Sequence, residues 1–562
     1  MNKKWEFYNS DVEKVKKIAE KYNISELLAT VLVNRGIIEE KNIETFLNST
    51  RNDFHDPYLM PDMEKAVNRI LKAIENKEKT IIYGDYDVDG ITSITVLSKF
   101  LKDCGLETGF YIPNRLNEGY GLNKEAIKKI SEEGYKLIIT VDCGISGNEE
   151  VAYAYELGME VIVTDHHEPL EELPKAVAVI DCKRKDNKYP FNSLAGVGVA
   201  FKLSQAIGQR LKMDEKSYLK YLDIVCVGTI SDIVPLVDEN RVIAQLGLKL
   251  VEITKSPGLK SLLIASGYKE VNSNTVSFGI APRINACGRM GHEEDALKLF
   301  LTENIQKARE ITENLNKYNR ERQEIEKRIF EEAVKKIEEN HLDKNNVIVI
   351  GSENWHHGVI GIVASKITDL YFKPSILICF EGEEGKGSGR SIPGFDLHGA
   401  LCKLNEYLEK YGGHEMAVGL SLKKENLAKF TEEFNAIAKH AHTEEIISVI
   451  NIDKEINLKD ITIENVNSLK MLEPFGEANK MPLFIYKNLK IDSIRALSEG
   501  KHLKLTLKDG NTIVNAIGFN MGKYSEEYLI GDRIDVVGVL EINSFNGKDM
   551  VQINMKDIRK SY

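Results

Sequence analysis

The stretch TIIYGDYDVDG, residues 80–90, runs from a β-branched apolar segment straight into a turn that carries three carboxylates, Asp85, Asp87 and Asp89. A run as short and uniformly apolar as TIIY (80–83) reads as a strand buried on both faces, the kind found in βαβ units. Three similar runs follow, LIITV (137–141), VIVT (161–164) and VAVI (177–180), with amphipathic helical stretches between them. The alternation predicts an α/β lobe on a parallel sheet. Ligands gather at the carboxyl ends of such strands, so the acidic residues directly behind three of these runs mark a site.

Three carboxylates at alternate positions in one turn repel one another unless cations neutralise them. A bound metal is the simplest reading, with a solvated acidic turn as the plain alternative. Asp142 in VDCG, and Asp165, His166 and His167 in TDHHEP, are weak signals singly, but their recurrence at successive strand ends converges on one pocket. Carboxylate and imidazole without thiolate suits Mn²⁺ or Mg²⁺, and the count is sufficient for two ions sharing a carboxylate. Such a pair is suited to in-line displacement at phosphorus. Asp232, in the apolar stretch GTISDIVPL, is either a further ligand or a helix N-cap, because an ionised Asp there needs a partner.

Outward from this lobe the chain changes style several times. Residues 292–350 contain neither Gly nor Pro and carry Leu297, Phe300, Ala308, Ile311, Leu315, Tyr318, Ile325 and Ile329 at helical spacing. That predicts one helix of roughly 40 residues bridging two lobes, or two helices broken near NRERQ (319–323). A second α/β pattern starts at VIVIG (347–351) and is glycine-dense between Gly382 and Gly419. From about 449 alternating strands take over; Leu503, Leu505 and Leu507 share a face, and Asp509-Gly510 and Asn546-Gly547 signal turns. This tail predicts a small OB-like barrel. The expected domains are a helical region 1–60, a catalytic α/β lobe 61–290, a connecting helix 291–345, a second α/β lobe 346–446 and a barrel 447–562.

Length and composition agree with several packed cores. The chain has 562 residues, 42% of them hydrophobic and 29% charged, which excludes a disordered or fibrous protein. Seven scattered cysteines without a CxxC pair argue for a reducing compartment and against a disulfide frame or zinc cluster. With no apolar leader and no run of spanning length, the expected location is the cytoplasm, away from membranes. The formal charge of −11 sits awkwardly with a polyanionic partner.

Taken in order, DYDVDG, VDCG, TDHHEP and GTISDIVPL resemble the four signatures of the DHH phosphoesterase superfamily. GSGRSIPGFDLHGAL (387–401) and GGHEMAVGL (412–420) resemble its DHHA1 companion domain. HDPYLMPDMEKAVNRI (55–70), APRINACGRMG (281–291) and the β tail are most similar to the single-strand-specific exonucleases of that superfamily. The resemblance implies a DHH lobe and a DHHA1 lobe joined by a long helix, followed by an OB-fold. It implies 5′-to-3′ hydrolysis of single-stranded DNA to 5′-mononucleotides with two metal ions, in recombination and repair. Asp87 and Asp89 then match a metal-binding pair, with Asp85 a further ligand or a water holder; Asp142 matches a bridging carboxylate, His166 a direct ligand and Asp232 the last ligand of one ion. Asp165 would orient those ligands and His167 would face the scissile phosphate. The implied partners are a single-strand-binding protein and a RecQ-type helicase, with the enzyme a monomer.

Arg390 and Ser388 in a glycine-rich loop fit a pocket for a terminal phosphate. Arg115 in IPNRLNEGYG and Arg289 in NACGRMG are similar to the family's other phosphate-contacting arginines, with Arg283 a weaker candidate. His414 matches the companion domain's histidine, implied to touch substrate. Trp355, His356 and His357 read as a helix start without a substrate role. Phe484, Tyr486, Phe519 and Phe545 are the barrel aromatics able to stack bases, although most barrel aromatics are core. Two rival readings remain, a DHH/DHHA1 phosphodiesterase of short oligonucleotides or cyclic dinucleotides, and a non-catalytic scaffold on a degenerate lobe.

Overall fold

A computed structural model describes residues 3–115, 118–441, 448–545 and 548–561. The chain divides into two compact units: Met1–Phe54, Ile233–Leu246 and Ile447–Tyr562 form one, and His55–Asp232 with Gly247–Ile446 form the other.

The larger unit contains both α/β lobes. In the first, five parallel strands lie in the order Thr108–Tyr111, Thr80–Gly84, Leu137–Val141, Glu160–Thr164, Ala178–Ile180. TIIYG and LIITV are buried at every position, which explains why neither shows a polar face. Gly84 pairs with Val141, Val141 with Thr164 and Thr164 with Ile180, so the strands end level. Helices Val88–Asp103, Gly196–Arg210 and Leu222–Ser231 pack against one another beside the sheet and are almost wholly buried.

The connecting segment is one continuous helix, Ile305–Glu339, of 35 residues and about 52 Å. A separate helix, Glu293–Leu301, precedes it, so Leu297 and Phe300 belong to a different element. The alternative of a break at NRERQ does not occur: Arg322 pairs with Glu326 one turn on and donates to Asn319 one turn back, tying the helix together there. Asn304 caps the long helix by accepting from the N–H groups of Gln306 and Lys307.

The second lobe is a mixed five-stranded sheet, Lys410–His414, Ala417–Lys423, Glu384–Arg390, Ser375–Glu381, Ile348–Ser352, with helix His357–Tyr371 packed on it.

In the smaller unit the strands Phe484–Leu497, His502–Asp509, Thr512–Gly518, Lys548–Lys560 and Arg533–Phe545 neighbour one another in that order, and the last pairs back onto the first. Closure of five strands with one parallel pair is the OB arrangement. Leu503, Leu505 and Leu507 are fully buried, and Asp509 pairs with Thr512 across the expected turn at Gly510. The Asn546-Gly547 turn lies outside the described residues. The barrel shares a core with the N-terminal helices: Leu28, Leu32 and Phe46 join one cluster with Leu503 and Val536. Strand Lys4–Phe7 pairs in parallel with Val449–Ile452.

The described cysteines are all free thiols, and among the described residues no helix is long and apolar enough to cross a membrane.

Candidate active site

Because the strands end level, the next residue of each presents a carboxylate: Asp85 after Gly84, Asp142 after Val141, Asp165 after Thr164 and Asp181 after Ile180. Sequence reasoning found the first three. It missed Asp181, which introduces the charged stretch CKRKDNK and so reads as the edge of a surface loop, although it is fully buried.

Around this row each candidate ligand is fixed by its own element. Asp87 caps helix Val88–Asp103 by accepting from Gly90 N–H at 3.1 Å. Asp89, in the first turn, accepts from Gly196 N–H at 2.6 Å and Val197 N–H at 2.8 Å, the open amino end of another helix. Asp142 holds a left-handed backbone, φ 58°, which turns the chain out of the strand. Gly196 leaves room for it, since a Cβ there would lie 2.7 Å from the Asp142 side chain. Asp232 is at the C-terminal end of helix Leu222–Ser231 and donates its N–H to Gly228, which removes the N-cap alternative.

These carboxylates converge on His166. Its Nε2 lies 3.1 Å from Asp142 Oδ1 and 3.7 Å from both Asp89 Oδ2 and Asp232 Oδ2, yet it forms no hydrogen bond. Burial, helped by the neighbouring His167, brings His166 down to about 3, so its ring is neutral. A hydrogen bond to the backbone of Leu194 leaves the Nε2 lone pair aimed inward. Asp85 Oδ1 and Asp232 Oδ2 are likewise buried without a partner.

Burial and the crowding of like charges push Asp85 and Asp142 well above the usual carboxylate range, Asp89 up to about 7 and Asp232 up to about 9. Only cations would let all four ionise together. Donor atoms of Asp89, His166 and Asp232 lie within 4.8 Å of one another, as do those of Asp85, Asp87 and Asp142 and those of Asp142, His166 and His167. Oxygen and imidazole donors with orphaned buried atoms fit divalent Mn²⁺ or Mg²⁺.

Asp165 has no atom to spare. It accepts from the N–H groups of His166 and Ile145 at 2.8 and 2.9 Å and from His167 Nδ1 at 2.7 Å. Against the pull of burial, His167 holds Asp165 below its ordinary range, and in return Asp165 holds His167 above. Tyr120, a residue the sequence did not single out, puts its hydroxyl 3.1 Å from His167 Nδ1 and donates to the Asp142 carbonyl at 3.1 Å.

A second cavity, of about 330 Å³, adjoins through Tyr86, the residue between Asp85 and Asp87. Arg115, Arg289 and Arg390 line it with Ser388 and Gly387. Arg115 lies 4.9 Å over the Tyr86 ring, Arg289 donates to the Gly358 carbonyl at 3.0 Å, and Arg390 donates to Ser388 Oγ at 3.2 Å. Among the described residues no carboxylate pairs with any of the three. Burial and the other guanidinium groups lower Arg289 to about 9. Cationic side chains converging without a carboxylate among the described residues suit the cavity to an anion.

His357 also lines this cavity, with Nδ1 buried and unpartnered, and burial with nearby Lys386 and Arg115 brings it down to about 4. The helix-start reading holds for both residues: His356 caps Gly358 N–H at 3.1 Å and His357 is the first residue of the helix, with its ring lining the cavity as well. His414 is exposed at the end of its strand and does not line the cavity. Arg283 is committed to the carbonyls of Gly279 and Ala265 and to Asn316. Phe484 and Tyr486 are fully buried and cannot stack bases; Phe519 is exposed, and the Phe545 side chain lies outside the described residues.

Comparison with known proteins assigns three segments. Residues 79–229 match the DHH family, N-terminal domain; residues 344–440 match the DHHA1 domain; residues 452–557 match the RecJ OB domain. The chain is 40% identical over 560 residues to the single-stranded-DNA-specific exonuclease RecJ of Bacillus subtilis, covering 99% of this chain and 70% of that one. It is 33% identical to the Haemophilus influenzae protein of the same name, covering 92% and 93%. Among solved structures, Thermus thermophilus RecJ in complex with Mn²⁺ superposes with TM-score 0.87 at 28% identity, covering 100% of this chain and 80% of that one.

Proposed function

Because this chain belongs to the RecJ family of single-stranded-DNA-specific exonucleases, we propose that it degrades single-stranded DNA from the 5′ end to 5′-mononucleotides, in recombination and repair. The observation that carries this reading is the junction of two sites at Tyr86, a carboxylate and imidazole cluster on one side and, on the other, three arginines without a carboxylate partner among the described residues.

In this reading Asp85, Asp87, Asp89, Asp142, His166 and Asp232 hold two divalent ions, with Asp142 shared. Bound there, the ions supply an acidified water and neutralise charge on the phosphoryl oxygens. His166 serves as a neutral donor because burial strips its proton. Asp165 and Tyr120 fix the ring of His167, which stays protonated more readily than a free imidazole and presents Nε2–H to the scissile phosphate. Arg115, Arg289, Arg390 and Ser388, joined by the neutral His357, take the terminal 5′ phosphate and so set the register of cleavage.

The alternative, a phosphodiesterase of short oligonucleotides or cyclic dinucleotides, is disfavoured by the barrel and by the full-length likeness. The same reading has the protein working in the cytoplasm as a monomer beside a single-strand-binding protein and a RecQ-type helicase, which pull-down and sedimentation equilibrium test.

The deciding assay uses a long single strand labelled at either end, with Mn²⁺. The 5′ label should appear at once as mononucleotide and the 3′ label only late. Activity confined to dinucleotides would sink the proposal.

A further inference from the structure

A cleft of about 760 Å³ opens where helix Val88–Asp103 ends and helix Leu222–Ser231 begins. Both helices carry metal-site residues at their other ends, Asp89 on the first and Asp232 beyond the second. A 16-residue helix spans about 24 Å, so the cleft is remote from that chemistry.

Four lysines line the cleft, Lys99, Lys102, Lys220 and Lys255. Only Lys220 has a carboxylate partner among the described residues, Asp103 at 2.6 Å. Asp103 is further engaged by the Tyr221 hydroxyl at 2.7 Å. Asp223 is also committed, accepting from Thr254 Oγ1 at 2.6 Å and Ile224 N–H at 2.8 Å, and burial pushes it upward, toward its neutral form. The cleft therefore holds four lysines against Asp103, Asp223 and Glu303; Lys99 is half-buried without an ion pair, and burial lowers it while Glu303 and Asp223 act to keep it charged. The amino end of helix Pro257–Ser266 faces the same space and adds to the positive potential.

Apolar side chains line the cleft as well: Leu250, Ile253 and Pro257, with Ile253 71% exposed, an aliphatic surface left open among ammonium groups. A ligand matching both kinds of lining combines a flat apolar face with several negative charges. Glu303 also lines the cleft and acts on Lys99 by its charge. The volume is within the range of small-molecule sites, about 300–1,000 Å³.

We propose that this cleft is a binding site for a nucleoside polyphosphate, with the phosphates on Lys99, Lys102 and Lys255 and the base against Leu250 and Ile253. It is distinct from both the metal cluster and the arginine cavity.

The test is calorimetric titration of the full-length protein with ATP in EDTA, which removes any contribution from metal. Saturable binding of one ATP per chain is expected, with inorganic tripolyphosphate competing and a thymidine oligonucleotide not competing. Lys99→Glu and Lys255→Glu should each weaken ATP binding by about tenfold or more, the loss of one charge-assisted contact. Lys255 lies in an exposed loop, so its variant guards against misfolding of the helix that carries Lys99. Mn²⁺-dependent digestion of single strands without nucleotide should be unchanged in both. No saturable ATP binding, binding indifferent to both substitutions, or displacement by the oligonucleotide would overturn the proposal; the last would make the cleft a stretch of the DNA path.

Discussion

His166 and His167 are adjacent in sequence and shifted in opposite directions, because burial, helped by His167, prevails at the first while the Asp165 carboxylate prevails over burial at the second. The difference predicts separable losses. His166→Ala should weaken Mn²⁺ binding at least about tenfold, the loss produced even by removing groups behind a ligand. His167→Ala should keep metal and lose turnover, and calorimetry beside a nuclease assay distinguishes them; equal metal loss in both would contradict the assignment. The carboxylates predict a pH effect of defined sign. Asp89 and Asp232 titrate higher in the folded chain than the ordinary 3.8, at about 7 and about 9, so the folded state binds more protons than the unfolded one. Stability of the metal-free protein should therefore fall as pH rises toward 9, and Mn²⁺ should restore it. Melting in EDTA and in Mn²⁺ at pH 6 and pH 9 checks this; a metal-free Tm that rises with pH would contradict it. Most candidate ligands were legible in sequence because they follow a strand or lie in a glycine-flanked turn; Asp232, at the end of a helix, stood out only as an acid in an apolar stretch. Asp181, Tyr120 and His357 were not, because strand register, loop return and lobe packing brought them in.

At the scale of elements, the site depends on helices whose amino ends approach the strand ends closely. Gly196 opens one of them, and its N–H holds Asp89 while its bare Cα faces Asp142. Gly196→Ala should leave the helix intact and the Tm little changed, yet displace Asp142 and lower kcat by about a hundredfold, the usual penalty for a displacement near 1 Å. A variant with full activity would show that Asp142 does not need its observed position. The parallel strands were readable from their uniform burial, since apolar runs of four or five residues admit few other roles. The long helix was readable in part: NRERQ looks like an interruption, but Asn319, Arg322 and Glu326 are one turn apart and satisfy one another. Glycines such as Gly358 and Gly361, which bring helix His357–Tyr371 against the arginines, look in sequence like ordinary small residues.

For the whole molecule, the net charge of −11 is reconciled with a polyanionic substrate by location. Residues from 451 onward hold 16 basic and 16 acidic residues, so the excess of acid lies in the remainder of the chain, where several carboxylates are buried around the candidate ions. A locally cationic pocket in an acidic body predicts binding that depends on salt. With free Mg²⁺ held constant, affinity for single-stranded DNA should fall roughly tenfold or more between 50 and 200 mM salt if three phosphate contacts form. Fluorescence anisotropy reads it, and a flat salt response would exclude the arginine cavity as the grip. The barrel was legible from its alternating leucines and turn residues. Its shared core with the N-terminal helices was not, because Leu28 and Leu503 lie far apart in the chain and no local pattern announces the contact. The central claim is that level strand ends assemble a two-ion site around Asp142. Anomalous scattering from a crystal soaked in MnCl₂ tests it most directly: the account predicts two manganese peaks about 3.5–4 Å apart with Asp142 between them. A single peak, or peaks away from Asp85, Asp89, Asp142, His166 and Asp232, would contradict it.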